Sequence, residues 1–363
     1  VGPERITDRP EDLVVYSLDP YTAEHKPDLV VYPLSTEDVS AIMKVAYRER
    51  IPVTPRGSGT NLAGETVPIH GGIVMALSRM DKILEIDRGN RTARVQPGVI
   101  NFEFQLEVEK QGLMYPPDPA SWKMATMGGN VGTNAGGPRT LKYGVTRDFL
   151  LGLTAVLANG DVLRTGGLAM KNVVGYDLTR LLCGSEGTLG IVTEIIVRLV
   201  PKPPASRTIM ADFPRLEDSS DAVAAIVGAG IVPSGLELMD QVVISAVEAA
   251  SHLGLPTDVE AILLVEVDGE AEGLDGQVKK IEKILNEKNA STVLVATNKE
   301  EVDNLWASRR AAFSVMARLR PNALMEDTTV PVSRMTEMIR KVVDIGKKYD
   351  VQIGVVAHAG DGN

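Results

Sequence analysis

The stretch from Pro117 to Gly137 reads PDPASWKMATMGGNVGTNAGG, and its last ten residues hold five glycines and two asparagines where the flanking sequence carries apolar periodicity. Each glycine inside a helix costs about 1 kcal/mol relative to alanine. The composition therefore predicts a loop that brings backbone close to a ligand, with its N–H groups turned toward it. A stretch of the same character lies upstream, PRGSGTNLAG at Pro55 to Gly64, between a strand-like VTP and the apolar run GGIVMAL. Glycine-rich turns that follow strands place backbone amides where they can cradle a pyrophosphate. Two of them in one domain suggest a dinucleotide held along its length.

Neither stretch is a P-loop, because GxxxxGK[ST] is absent, and neither reads GxGxxG between a strand and a helix as a Rossmann site requires. A single glycine-rich segment is ordinarily a turn. A third one, GSEGTLGIVTE at Gly184 to Glu194, makes the joint pattern informative. Taken in order, PRGSGTNLAG, PPDP, TMGGNVGTNAGG and GSEGTLGIVTE resemble the FAD-binding domain of the vanillyl-alcohol oxidase superfamily. Within it the whole chain is similar to the branch of glycolate oxidase flavoprotein subunits and D-lactate dehydrogenases. The fold this implies is α+β: a PCMH-type FAD-binding domain of two subdomains, followed by an α+β cap domain with a largely antiparallel sheet.

The resemblance implies a cofactor site residue by residue. The amides of Arg56, Gly57, Ser58, Gly59 and Thr60 would hold the pyrophosphate, with Pro55, Asn61 and Gly64 shaping that loop. Several relatives attach flavin through a histidine at the place of Thr60; a hydroxyl cannot form that bond, so non-covalent FAD is expected. Thr126, Met127, Gly128, Gly129, Asn130, Gly132, Thr133, Asn134 and Gly136 would line the ribityl chain and ring. Pro97, Gly98, Val99, Pro117 and Asp118 would border the same groove, and Glu186, Gly187, Gly190, Ile191 and Val192 would lie toward the adenosine.

A 2-hydroxy acid needs a cation for its carboxylate and a base for its hydroxyl proton while the Cα hydride moves to flavin. His358, one of four histidines, follows the strand-like VQIGVVA and opens HAGDGN, which is similar to the family's HxGDGN. By that resemblance His358 ligates a divalent metal such as zinc, iron or manganese, or serves as base, and Asn363 belongs to the same catalytic segment. Arg309 and Arg310, in LWASRRAAF, are candidates for the cation because guanidinium grips carboxylate bidentately. The family's WxxR setting selects Arg309. Met325 stands where hydroxyglutarate-oxidising relatives carry a lysine, which points to a small monocarboxylate, glycolate or D-lactate.

Composition narrows the partners. A net charge of -10 argues against a nucleic-acid surface, which needs clustered Lys and Arg. Cys183 is the sole cysteine, so this chain cannot hold an iron–sulfur cluster, which generally takes four thiolates. The resemblance then implies an iron–sulfur subunit or an electron-transfer flavoprotein as redox partner, with homo-oligomerisation left open. No apolar run approaches the roughly 20 residues of a membrane span, and the first residues, VGPERITDRPEDL, lack a basic n-region and an apolar h-region. Cytoplasm is the expected compartment. The chain stops inside HAGDGN, directly after an apolar strand, which reads as a fragment lacking a C-terminal piece.

The organisation follows from punctuation. DLVVYPL, a helix capped by Ser35 or Thr36, and PVTP read as strand, helix, strand; GIVMAL and ILEID close a first subdomain over 1–88. A second runs over 89–204: the strand TARVQPGV, the helix NFEFQLEVEKQGL capped by Asn101, the glycine-rich core, a hairpin turning at Asn159-Gly160, and the strand IVTEIIVRLVP. KPP marks the domain boundary. From 205 to 363 strands alternate with longer amphipathic helices, ALMEDTTVP among the strands, which predicts a sheet covered by helices on one face. Two other readings of the fold stay open: a non-redox transferase like the ether-lipid synthases, and an idle flavin subunit of an electron-transfer complex.

Overall fold

The computed structural model describes residues 1–20, 24–320 and 323–363. The chain forms two compact units, one of residues 1–137 and 144–202, the other of residues 138–143 and 203–363.

The first unit contains two main sheets. In the first, the order is Ile6–Thr7, Leu29–Val31, Ile73–Ala76, Val53–Arg56; the last three strands run parallel and Ile6–Thr7 is an antiparallel edge. The parallel pairing requires a crossover, supplied by the helix Thr36–Glu49. Ser35 caps it by accepting from the Asp38 amide at 3.2 Å, and Arg50 ends it in the left-handed conformation. Val39, Ser40, Met43 and Ala46 are its buried residues, and Val39 and Met43 pack with Val31, Ile73 and Met75. This places the end of Val53–Arg56, and so the PRGSGTNLAG segment, beside the crossover.

The second sheet is antiparallel, in the order Ile83–Asp87, Thr92–Val95, Ile191–Arg198, Leu150–Val156, Val162–Gly166. ILEID therefore belongs to the second sheet, although the sequence placed it in the first subdomain. Two local expectations also change. Ile100, not Asn101, precedes the helix Asn101–Glu109, because the Asn101 amide donates inward to the Pro117 carbonyl at 3.0 Å. The hairpin turn has three residues, Ala158 to Gly160: Gly160 N donates to the Leu157 carbonyl at 2.8 Å, Leu157 N to the Asp161 carbonyl at 2.9 Å, and Gly160 lies at φ 85°. That is a tight turn followed by a left-handed glycine, the usual three-residue solution.

In the second unit one antiparallel sheet runs Thr292–Val295, Ala205–Phe213, Ala261–Gly269, Gly235–Asp240, Val356–His358. Helices cover both of its faces, not one. Ile209, Phe213, Leu236, Leu263 and Val265 pack with buried residues of the helices Leu216–Gly228, Ala271–Glu287 and Met335–Tyr349. Met210, Met239, Ile262 and Leu264 pack with those of Gln241–Ser251 and Lys299–Met316. The run AILLV explains the difference: a strand buried on both faces shows no polar alternation. ALMEDTTVP forms no strand; Val330 N donates to the Gly362 carbonyl at 2.8 Å, which ties this segment to HAGDGN. Residues 138–143 pack with this unit through Tyr143, whose hydroxyl donates to Asp268 at 2.7 Å, and Lys142, which also binds Asp268. Among the described residues no helix is long and apolar enough to cross a membrane.

Candidate functional site

In the first unit the three glycine-rich segments meet. Arg56 ends its strand with the side chain turned inward, donating to the Leu18 carbonyl at 2.9 Å and to Thr66 Oγ1 at 3.2 Å. Gly59 lies at φ +67°, which favours glycine, and a Cβ there would come 2.3 Å from that guanidinium, so the loop closes tightly over Arg56. Asn61 donates to Asp19 at 2.6 Å and also bonds Glu65. Side chains thus hold the loop from below. Among the described residues the amides of Ser58, Gly59 and Thr60 have no protein acceptor.

The second segment departs from the expected loop: Met127–Thr133 is a short helix. Thr126 caps it, accepting from Gly129 N at 3.1 Å, and Asn134 closes it at φ 54°. Its glycines permit contacts that side chains would block, which offsets their poor helix propensity. Gly128 N donates to the Pro97 carbonyl at 2.7 Å, and a Cβ on Gly128 would sit 2.5 Å from the Pro97 Cβ. Met127 N bonds the Val99 carbonyl at 2.8 Å. The Gly128 amide is therefore occupied by protein. So is Asn134, whose Oδ1 accepts from Arg147 N at 2.9 Å, while Thr133 Oγ1 donates back to the Gly129 carbonyl at 3.2 Å.

The first segment rests on the second: Ser58 Oγ donates to the Met124 carbonyl, and a Cβ on Gly57 would lie 2.3 Å from Thr126 Oγ1. The third docks on both. Gly184 N and Glu186 N donate to the Val131 and Gly132 carbonyls, each at 2.9 Å, and a Cβ on Gly187 would reach 2.4 Å from the Pro55 ring. Pro55, Gly187, Gly190 and Ile191 line a cleft of about 670 Å³ together with Met43, Tyr47, Arg48, Arg50 and Val53. Gly98 packs under the Leu77 carbonyl, Asp118 is buried, and Pro117 accepts from Asn101 and from Gln105. Asn130 is buried, and its Nδ2 has no partner among the described residues. Unused amides, a glycine-built floor and an orphaned amide donor fit an anionic, hydrogen-bonding ligand.

The second unit holds a different kind of site. His358 lies directly across from Glu237 on the neighbouring strand, where side chains on one face touch. His358 Nδ1 is 2.8 and 2.9 Å from the two Glu237 oxygens. Arg309, from the helix Lys299–Met316, places Nη2 2.6 Å from Glu237 Oε2. Glu237 is 1% exposed and Arg309 9%. Burial opposes charging the His358 ring, but the charge and hydrogen bond of Glu237 outweigh it and hold the imidazole above its ordinary value. Burial likewise raises the nearby Asp361 carboxyl, against the pull of His358.

Of the two candidate arginines, Arg309 is the one beside His358. Arg310 lies over the Trp306 ring at 5.5 Å, and Trp306 itself donates to Glu266 at 2.9 Å. Asn363 bonds Asp327 and, at 3.1 Å, Thr329. Glu237 is the residue that sequence reasoning missed. Its signal was a carboxylate inside the strand GLELMD, flanked by Leu236 and Leu238 and set apart from Asp240, which caps the following helix; all six residues are buried. The metal reading of His358 gains no support: among the described residues no three His, Cys, Asp or Glu side chains converge.

Fold and sites together define an FAD-linked oxidoreductase. Residues 27–166 match the FAD binding domain model and residues 202–363 the C-terminal domain of FAD linked oxidases. Glycolate oxidase subunit GlcD of Bacillus subtilis is 48% identical over all of this chain and 77% of its own length. A D-lactate dehydrogenase of Anaerostipes hadrus is 36% identical over 93% of this chain and 72% of its own. A solved alkyldihydroxyacetonephosphate synthase superposes with a TM-score of 0.81 at 21% identity, covering 99% of this chain and 75% of that one, a likeness of fold. This chain belongs to the family of FAD-linked oxidases that includes glycolate oxidase subunit GlcD.

Proposed function

We propose that this protein oxidises a small 2-hydroxy acid, glycolate or D-lactate, to the 2-oxo acid with non-covalently bound FAD, and hands the electrons to a redox partner. The observation that carries the reading is the His358–Glu237–Arg309 cluster, a base and a cation joined through one buried carboxylate. Arg309 has its Nε buried without a partner and only Nη2 committed to Glu237, so donors remain for a substrate carboxylate. His358, with Nδ1 on Glu237, presents Nε2 to take the hydroxyl proton. Its raised basicity favours that transfer. FAD, when bound, accepts the hydride from Cα.

In the first unit the free amides of Ser58, Gly59 and Thr60 would hold the pyrophosphate, and the cleft lined by Pro55, Gly187, Gly190 and Ile191 would take the adenosine end. Thr60 offers no imidazole for a covalent link, so acid precipitation should leave the yellow colour in the supernatant; colour retained in the pellet would contradict this. With one cysteine the chain carries no iron–sulfur relay. The relatives named as subunits support a partner protein, and we assign that role to an iron–sulfur subunit or an electron-transfer flavoprotein. Anaerobic addition of glycolate or D-lactate to the flavin-loaded protein tests the reading. Bleaching of the flavin by at least one of them is expected; an oxidised spectrum with both would overturn it.

A further inference from the structure

We infer that Glu237 is the positioning residue of the site: it fixes the tautomer of His358 and the placement of Arg309 at the same time, so that base and carboxylate-binding cation are held in one frame. The inference rests on the roles given to His358 and Arg309 above, and adds to them a residue that touches neither substrate nor flavin.

The geometry is that of an acceptor shared by two donors. An ionised carboxylate only accepts hydrogen bonds, through two oxygens. Facing His358 Nδ1 at 2.8 and 2.9 Å, it requires a proton on Nδ1 and so leaves the lone pair of the neutral ring on Nε2. The same carboxylate holds Arg309 Nη2 at 2.6 Å. Three elements are thereby indexed to one group: the strand Gly235–Asp240, the strand Val356–His358 and the helix Lys299–Met316. Neighbouring contacts keep the carboxylate from moving. Glu237 is 1% exposed, and its flanking residues Leu236 and Leu238 point into the core on the sheet's other face, packed with residues such as Val223 and Ile339. A buried carboxylate without donors would be costly, and the cluster supplies two.

Replacing Glu237 with leucine would leave Arg309 buried without its partner and threatens the fold, so the test uses closer substitutions. Gln at this position has one acceptor and one donor. Its oxygen can keep Arg309, but its NH2 then faces Nδ1, which must become an acceptor, moving the proton of the neutral ring to Nε2. Glu237→Gln should therefore convert His358 from a base into a donor while leaving the cation in place. Nitrogen-15 NMR of the four histidines in the flavin-loaded protein, with His358 assigned by its loss in His358→Ala and recorded where the ring is neutral, reads the tautomer directly. The expected result is Nδ1–H in the parent and in Glu237→Asp, and Nε2–H in Glu237→Gln. Anaerobic reduction by the 2-hydroxy acid should slow by about a hundredfold or more in Glu237→Gln, with the half-saturating concentration changed by no more than about twofold, and should recover in part in Glu237→Asp. An unchanged His358 tautomer in Glu237→Gln overturns the inference, as does an unchanged reduction rate accompanied only by a lower melting temperature. Should the parent resist every 2-hydroxy acid, the proposed reaction fails, and the tautomer measurement alone decides the role of Glu237.

Discussion

In the first unit the candidate ligand surface is backbone. Ser58, Gly59 and Thr60 present amides, and Gly57, Gly128 and Gly187 are glycines because neighbouring segments leave no room for a Cβ. In the second unit the candidate site is side chain: a carboxylate, a guanidinium and an imidazole from two strands and a helix, at a sheet whose faces are both buried. A backbone site must be shaped by what is left out, and a side-chain site by what is buried and paired. Substitutions should therefore fail differently in the two regions: by blocking the ligand in the first, and by breaking charge geometry in the second.

Within the first unit the largest effect is expected where added atoms would enter the proposed ligand space. A Cβ on Gly129 meets only Thr126 Oγ1, at 3.2 Å, whereas one on Gly128 meets the Pro97 ring and backbone. Gly129→Leu should keep the fold and weaken flavin binding roughly tenfold to hundredfold, by flavin content after gel filtration. Gly128→Val should instead lower stability by about 1–3 kcal/mol through overpacking. Equal stability losses in both variants would break the distinction between ligand-facing and protein-facing glycines.

Next in size is the cation. Arg309→Lys replaces a fork with a point charge, and the KM for the 2-hydroxy acid should rise by about tenfold with flavin content unchanged. If Arg310→Lys has this effect and Arg309→Lys does not, the assignment beside Glu237 is wrong. The smallest change concerns the cap of the short helix. Thr126→Ala removes the acceptor for Gly129 N and should cost about 1 kcal/mol in denaturant unfolding.

The same contrast explains what could be read from the residues alone. Glycines that permit close approach leave a compositional mark, and all three segments of the first unit stand out in the sequence alone. The short helix Met127–Thr133 did not, since propensity argues against it, and the bonds to Pro97, Val99, Gly184 and Glu186 that, with the Thr126 cap, favour it join residues far apart in sequence. His358 and Arg309 could be singled out by motif, but their shared partner could not. Glu237 lies 121 residues from His358 in sequence, and only the antiparallel register brings them face to face. The second buried face of the cap sheet was legible in AILLV, and was missed because helices alternating with strands were read as a single layer.

We propose flavin binding for the first unit and, independently, the base role for His358 in the second. Flavin content and the anaerobic reduction rate, measured side by side for the parent and His358→Ala, test this most directly. The account predicts equal flavin per chain and a reduction rate lowered by roughly a hundredfold or more. Near-parental reduction in His358→Ala, or loss of flavin together with the rate, would contradict it.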